Sequence, residues 1–410
     1  MTFDLFQLHP RVLSGVKAQG FTIPTPIQHQ SIPVILQGQD VLGLAQTGTG
    51  KTAAYALPIL HRLMTGQRGV VRALIIAPTR ELSEQIHTTI VSLGRQTGVR
   101  STAVYGGVAM RPQVEKLRKH TDIVVACPGR LLDHISQGTI DLSHLEVLVL
   151  DEADHMFDMG FIVPIRQILK TLPKNRQTLL FSATMPDAIK GLATEILQSP
   201  KNIQIGKIAP ASTVSHAIYP VNSDLKTPLL MELLRQTREG SVLVFTKTKH
   251  RAKRLDEQLR KSGYGSASLQ GNLSQNQRQA ALDGFRTGRH QILVATDIAA
   301  RGIDVTGVSR VINYDIPDTA DAYTHRIGRT GRAAQTGDAL TLVTSSDEAM
   351  VRTIERTMGK KLERRKLEGF DYSETKTSPD QDFIRSIRQA QSSRRSSSTR
   401  SSRPMGRNHG

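Results

Sequence analysis

Two short stretches of this chain carry side chains suited to hydrolysing a nucleoside triphosphate. The first is Ala45-Gln46-Thr47-Gly48-Thr49-Gly50-Lys51-Thr52, which follows the apolar run Asp40 to Leu44. Glycines there let backbone N–H groups approach phosphate oxygens, Lys51 reaches the β- and γ-phosphates, and the Thr52 hydroxyl can bind Mg²⁺. The second, Asp151-Glu152-Ala153-Asp154, closes the run Leu145 to Leu150 and sets a pair of carboxylates at a strand end. An acidic strand end of this kind holds the metal and orients a water. The general phosphate-loop pattern begins with glycine where this chain has Ala45, so the loop alone is an imperfect match.

These groups must be positioned by strands. Short apolar runs alternate with amphipathic stretches along the chain, the βαβ pattern. The runs are Val41–Ala45, Ala73–Ala77, Ile123–Ala126, Val147–Leu150 and Thr178–Phe181, then Val242–Phe245, Ile292–Ala295, Val308–Asn313 and Ala339–Val343. Their Val, Ile and Leu content without alternation suits parallel strands covered on both faces. Nearly every polar motif follows such a run, at the carboxyl edge where open α/β sheets bind ligands. The expected fold is therefore α/β, with two doubly wound domains in tandem, at residues 1–206 and 213–369. Residues 207–212, small and Pro-containing, read as a linker. Residues 370–410 read as a disordered basic tail, because Ser392 to Arg407 is rich in Ser and Arg and has no acidic residue.

A length of 410 residues suits two or three domains, and 38% hydrophobic residues suffice for packed cores. The net charge of +18 points to a polyanionic partner, most often nucleic acid, or else to a solvating surface. A single cysteine, Cys127, excludes an internal disulfide and fits a reducing compartment. The N-terminus lacks a signal-peptide pattern, and no apolar run is long enough to span a bilayer. A cytoplasmic, monomeric protein without membrane attachment is expected. The histidines lack metal-ligand spacing.

Three further motifs gain meaning beside the first two. Gly20-Phe21-Thr22-Ile23-Pro24-Thr25-Pro26-Ile27-Gln28 reads alone as a Pro-rich turn before a helix. Its Gln28, however, offers a donor and an acceptor to an adenine edge, and an aromatic ring can stack on the base. Ser182-Ala183-Thr184 puts two hydroxyls at a strand end, alone no more than a helix cap. His325-Arg326-Ile327-Gly328-Arg329-Thr330-Gly331-Arg332 spaces Arg329 and Arg332 by three, on one side of a helical turn. Guanidinium groups so placed can hold a γ-phosphate and developing transition-state charge.

The order of these motifs resembles the DEAD-box family of RNA-dependent ATPases and helicases of superfamily 2, over roughly residues 3 to 345. Phe3 resembles the isolated aromatic upstream of the glutamine element. Pro78-Thr79-Arg80-Glu81-Leu82 resembles motif Ia, Gly106-Gly107 the GG motif and Cys127-Pro128-Gly129-Arg130 motif Ib. Val244-Phe245 resembles motif IV, Gln275-Asn276-Gln277-Arg278 the QxxR element, and Ala295-Thr296-Asp297 through Arg301-Gly302-Ile303-Asp304 motif V. Val242 to His250 and the segment around Gln270-Gly271-Asn272 look most like the bacterial RhlE-type group. Motif Ib usually begins with Thr. Cys127 loses that hydroxyl, so a tuned RNA affinity is expected, with the small side chain buried behind the loop.

The resemblance implies two tandem RecA-like domains, ATP and Mg²⁺ as cofactors, and RNA as partner. Phe3, Phe21, Gln28, Thr47, Gly48, Thr49, Gly50, Lys51, Thr52, Gly302 and Asp304 would bind the nucleotide. Thr52 and Asp151 would hold Mg²⁺, Asp151 through water. Glu152, Asp151, Lys51, Arg329, Arg332 and His325 would form the catalytic set, the arginines arriving from the other domain. Ser182, Thr184, Asp154 and Arg326 would couple the domains. Pro78, Thr79, Arg80, Gly106, Gly107, Gly129, Arg130, Gln275, Arg278 and Thr296 would contact RNA. Most of these fall at strand ends or early helix positions, few are aromatic, and the chain has no Trp. That favours phosphate and 2′-OH contacts over base stacking. The expected activity is an ATP-dependent RNA helicase that melts short duplexes or remodels ribosomal or RNA-decay ribonucleoproteins. The rivals are an ATP-gated RNA clamp without significant unwinding, and a DNA translocase of the same superfamily.

Overall fold

Val147-Leu148-Val149-Leu150 shows why the first half folds as it does. Val147 and Val149 join one apolar layer, Leu148 and Leu150 the other. Successive side chains of a strand point to opposite faces, so an unbroken apolar run needs a layer of helices on each side. The same division separates Ile75 from Leu74 and Ile76, and Val125 from Val124 and Ala126.

The computed structural model describes residues 2–46, 48–205, 214–237, 240–300, 308–331 and 337–373. In the first half the strands are β1 (Val41–Leu44), β2 (Ala73–Ile76), β3 (Ser101–Val104), β4 (Ile123–Ala126), β5 (Val147–Leu150), β6 (Gln177–Ser182) and β7 (Lys201–Gln204). They form one parallel sheet in the order β3-β4-β2-β5-β6-β1-β7. The second half repeats the plan with β8 (Val214–Pro220), β9 (Val242–Phe245), β10 (Ser266–Leu269), β11 (Ile292–Ala295), β12 (Arg310–Asn313), β13 (Gly337–Val343) and β14 (Glu363–Arg364). Its parallel order is β10-β11-β9-β12-β13-β8-β14. Two doubly wound domains were expected, and each half is one.

Every apolar run named above falls on a strand. The strands β3, β7, β8, β10 and β14 were not among those runs. Four of them lie at or beside a sheet edge with polar residues interspersed, and β14 is a two-residue edge piece. An edge strand has one neighbour and partial cover, so it lacks the apolar density of a central strand.

Packing extends the second domain past its expected end. The second domain was expected to end at residue 369, yet Leu367, Phe370 and Tyr372 pack against its core. The Leu367 N–H donates to the Tyr372 hydroxyl at 2.9 Å, and the Phe370 and Tyr372 rings meet edge-on at 4.9 Å. Aromatic area draws this stretch onto the domain, which reaches at least Tyr372. The expected linker at 207–212 and the tail from residue 374 lie outside the described residues. Among the described residues no helix is long and apolar enough to cross a membrane.

Candidate functional site

The strands β1 and β5 flank β6. The loop after β1 and the acidic turn after β5 therefore open on one edge, two strand spacings or roughly 10 Å apart. Gly48 and Gly50 take φ of 82° and 91°, the left-handed region that glycine enters without strain. Lys51 opens the helix Lys51–Arg62, is buried, and donates from Nζ to the Ala45 carbonyl at 2.8 Å. The Thr49 hydroxyl donates to the Gln46 carbonyl at 2.7 Å. Thr47 lies outside the described residues.

One turn into that helix, Tyr55 is fully buried and its hydroxyl donates to Asp151 Oδ2 at 2.9 Å. Thr52 stands one turn before Tyr55 on the same helix and near enough to its hydroxyl to affect it, so Thr52 and Asp151 share one small site. Gly43 makes room for this support. A Cβ there would meet the Phe181 ring at 2.4 Å, and that ring packs on Tyr55 with centroids 5.5 Å apart. Burial pushes the Asp151 carboxyl up to about 6, with the Glu152 charge adding and the Lys51 charge opposing. Glu152 has φ +52° and ψ 54°, an uncommon backbone for a non-glycine residue. Burial also works against its charge. A bond from His155, then the charges of Lys51 and Arg329, work the other way and hold it below the usual carboxylate range.

Asp154 knots the acidic turn to the strand end of β6. Its Oδ2 accepts from the backbone N–H of Ala183 at 3.2 Å and Thr184 at 2.8 Å, and from the Thr184 hydroxyl at 3.0 Å. In return the Asp154 N–H donates to the Ser182 hydroxyl at 3.2 Å, which donates to the Thr184 carbonyl at 2.7 Å. These expected coupling residues thus bind one another within the first domain.

Gln28 is 4% exposed and partly committed to the protein. Its Oε1 accepts from the Thr25 N–H at 2.9 Å, and its Nε2 donates to the Gly50 carbonyl at 3.1 Å. One hydrogen and one lone pair remain for a ligand. The residue was expected only to read adenine; it also clips its own helix to the phosphate loop. Phe21 is 38% exposed and stacks on Phe3, with centroids 6.4 Å apart. Phe3 itself is buried in the core, so it backs Phe21 and offers no free face.

From the second half, Arg329 is buried and close enough to lower the Glu152 carboxyl. The helix Ala320–Ile327 stops before it, with Gly328 as cap. A turn therefore presents Arg329, and its expected spacing to Arg332 involves a residue outside the described ones. His325 sits half-buried on the last turn. Arg326 faces inward: it pairs with Asp297 at 2.6 Å through Nε and Nη2, and its Nη1 donates to Asn313 Oδ1 at 3.0 Å and the Asp315 carbonyl at 2.7 Å. Its guanidinium lies 4.9 Å from the Phe245 ring centroid. All these partners belong to the second domain. Arg326 was expected to couple the domains, but it braces the strand ends of its own. Gly302, Asp304 and Arg332 lie outside the described residues.

The expected RNA set is spread over strand ends in both halves. Pro78 and Thr79 follow β2, and Thr79 caps the helix Arg80–Leu93 by accepting from the Leu82 N–H at 3.3 Å. Gly106 and Gly107 follow β3, with the Arg80 guanidinium against Gly107 where a Cβ would stand. Gly129 and Arg130 lie in the first turn of Pro128–Ser136, and Arg130 donates to the Val108 carbonyl at 3.0 Å. Cys127 caps that helix, is buried, and lies 3.4 Å from the Ser83 hydroxyl; burial pushes its thiol up to about 11. Thr296 follows β11, and Gln275 opens the helix Gln275–Arg286.

Arg278, expected to contact RNA, makes a bond between the two halves. Its Nε donates to Glu81 Oε1 of the first domain at 2.6 Å, with both side chains largely withdrawn from water. Two further donors reach the carbonyls of Gln270 and Ala299 at 3.4 Å. A guanidinium bound this way ties the halves together and keeps two of its five N–H donors uncommitted. Sequence reasoning missed Glu81, Tyr55 and His155. The spacing Thr52–Tyr55, three along one helix, could have flagged Tyr55; nothing local marks Glu81.

Comparisons with known proteins agree with this geometry. The family described as DEAD/DEAH box helicase matches residues 25–192, and the helicase conserved C-terminal domain matches residues 225–334. The chain is 43% identical over 366 residues to the DEAD-box ATP-dependent RNA helicase CshA of Geobacillus kaustophilus, covering 89% of this chain and 78% of that one. It is 44% identical to the ATP-dependent RNA helicase CshA of Listeria monocytogenes, covering 88% and 69%. Among solved structures, S. cerevisiae Dbp5 bound to RNA and ADP BeF3 superposes with a TM-score of 0.80 at 30% identity, covering 89% of this chain and 95% of that one. A DEAD box protein from Methanococcus jannaschii is 38% identical, covering 89% and 99%, with a TM-score of 0.53.

Proposed function

The chain belongs to the DEAD-box ATP-dependent RNA helicase family, and from that premise we propose how its cleft hydrolyses ATP and couples the reaction to RNA. The observation that carries the proposal is the meeting of the halves: Arg278 of the second domain bonds Glu81 of the first at 2.6 Å, with the buried Arg329 near enough for its charge to act on Glu152. ATP would lay its base on Phe21 and meet the spare donor and acceptor of Gln28. Its phosphates would take the loop N–H groups and draw Lys51 from the Ala45 carbonyl. Asp151 and Thr52 form an all-oxygen pair with one buried carboxylate, a fit for Mg²⁺ held partly by substrate phosphates. When bound, that ion neutralises charge on the β- and γ-phosphate oxygens. Glu152 orients the attacking water, and Arg329 with Arg332 supplies positive charge from across the cleft. Asp304 and Gly302 are assigned to the ribose side of the nucleotide, and His325 to the catalytic edge.

RNA would lie along the strand ends of both halves. The likeness to Dbp5 with RNA and ADP BeF3 supports reading the described arrangement as the closed one. A ligand that binds both domains favours closure, and closure completes the hydrolysis site. Local melting of short duplexes or remodelling of ribonucleoproteins follows, with clamping as the alternative. The test is ATP turnover with and without RNA, beside unwinding of a short duplex carrying a single-stranded extension. Turnover indifferent to RNA would overturn the coupling, and full stimulation without unwinding would favour the clamp. A cytoplasmic location, a monomeric state and work on ribosomal or RNA-decay particles are proposals of the same kind, supported by the single free thiol and the charge of +18. So is the RhlE-type placement, which rests on Val242 to His250 and Gln270 to Asn272, while the matched relatives above carry the CshA name.

Two expected results arise here. Wild-type protein should prefer ATP to GTP, because guanine presents its donor and acceptor reversed to Gln28. Gln28→Ala should cut that preference by roughly ten- to a hundredfold and raise the KM for ATP, since the clip to Gly50 goes too. Steady-state kinetics with both nucleotides decide it, and equal use by the wild type would refute the assignment. Removing the residues after Ser373 deletes Arg385, Arg388, Arg394, Arg395, Arg400, Arg403 and Arg407. RNA affinity should weaken and its salt dependence flatten by about 0.7 per lost contact, while turnover at saturating RNA stays intact. Unchanged affinity and slope would leave the tail a solubilising end.

A further inference from the structure

Histidine 155 is a buried titratable group to which neither the motif comparison nor the proposed mechanism gives a task. It stands on the short helix Ala153–Asp158, three residues after Glu152. Its Nδ1 lies 3.3 Å from Glu152 Oε2, and the two side chains are only 5% and 10% exposed. Its other nitrogen, Nε2, is buried and has no hydrogen-bond partner among the described residues. Its backbone N–H is held by Asp154 Oδ1 at 3.0 Å, so the ring is anchored to the same turn that carries Glu152.

These contacts fix the chemistry of the ring. An ionised carboxylate only accepts hydrogen bonds, so the hydrogen at that contact belongs to Nδ1. A hydrogen on Nε2 would be a stranded buried donor, which is costly, so the neutral Nδ1–H tautomer is the form that suits both ends. Glu152 needs such a partner. Its backbone sits in the left-handed region, a conformation that persists only where the surroundings hold it. Its N–H donates to Asp151 Oδ1 at 2.9 Å, which fixes the main chain and leaves the carboxylate to be aimed by its own contacts.

We propose that His155 is a positioning residue for hydrolysis. Its Nδ1–H holds one oxygen of Glu152, so that the other accepts from the attacking water. This rests on the reading of Glu152 as the residue that orients that water. Lys51 and Arg329 also bear on Glu152, but through charge, whereas His155 supplies a directed bond from the same turn.

Two substitutions separate the bond from the bulk. His155→Leu fills the space without a donor, and His155→Asn returns an amide N–H near the position of Nδ1. In RNA-stimulated hydrolysis His155→Leu should lower kcat by about ten- to a hundredfold, the effect of a small misplacement at a reacting centre. The KM for ATP and the RNA affinity should stay at wild-type values, and His155→Asn should recover most of the rate. Wild-type kcat in His155→Leu, or equal loss in both variants, would overturn the proposal. Nitrogen-15 NMR of the wild-type protein gives a second reading that needs no variant: the Nδ1–H tautomer is expected, and an Nε2–H tautomer overturns it. Glu152→Gln run alongside distinguishes the failures. If Glu152→Gln turns over normally, the reading of Glu152 is wrong; if it is inactive while His155→Leu is normal, only the role of His155 is.

Discussion

Glu152→Gln is expected to lower RNA-stimulated ATP turnover by at least about a hundredfold, the size of a lost general-base contribution, while ATP and RNA still bind. The amide keeps the shape of the side chain in a buried pocket. It keeps an acceptor but cannot take a proton and carries no charge for Lys51 and Arg329 to face. Asp151 and Thr52 are untouched, so the metal site stays. A bond from His155 and the charges of Lys51 and Arg329 hold the carboxyl below its usual range, so it stays ionised and able to accept from the water. Single-turnover phosphate release and nucleotide binding by dialysis provide the check. Near-normal turnover would remove Glu152 from the role.

The second large effect concerns the other side of the cleft. Arg329→Ala should reduce turnover by about 10³-fold or more, the loss typical of an arginine supplied to a phosphoryl-transfer site. The first half alone, ending near Gly206, should bind ATP and barely hydrolyse it. That half has its own two apolar layers, drawn from residues between Phe3 and Ile203, so it contains what it needs to fold. Full RNA-stimulated hydrolysis by the isolated half would refute a site shared between domains. Activity in Arg329→Ala, with the isolated half inactive, would instead assign the missing charge to Arg332.

The central strands were readable because each is a run of residues that water excludes from both faces at once. The edge strands were not, since Ser101–Val104 and Lys201–Gln204 carry the polar residues their partial exposure allows. Within the site the pattern is similar. Glycines, Lys51, Asp151 and Glu152 follow from what a phosphate and a water demand locally. Second bonds made by the same residues do not. Gln28 shows a ligand-reading amide in sequence, while its bond to Gly50 depends on how two loops meet. Arg278 and Glu81 stand 197 positions apart, and only the meeting of two domains reveals them as partners. Arg326 belongs to a run of arginines that all look destined for phosphate, yet Asp297 and Asn313 claim it.

The pair of Arg278 and Glu81 has a thermal consequence. Parting the domains would return both charges to water, and bringing them together strips that water away again. The hydration of ions weakens on warming, so the stripping becomes easier at higher temperature. Through this contact alone, cold should hold the two halves apart and warmth should help them meet. Replacing the pair by two apolar residues of similar size would flatten that temperature response, making the step from open to closed less sensitive to a chill.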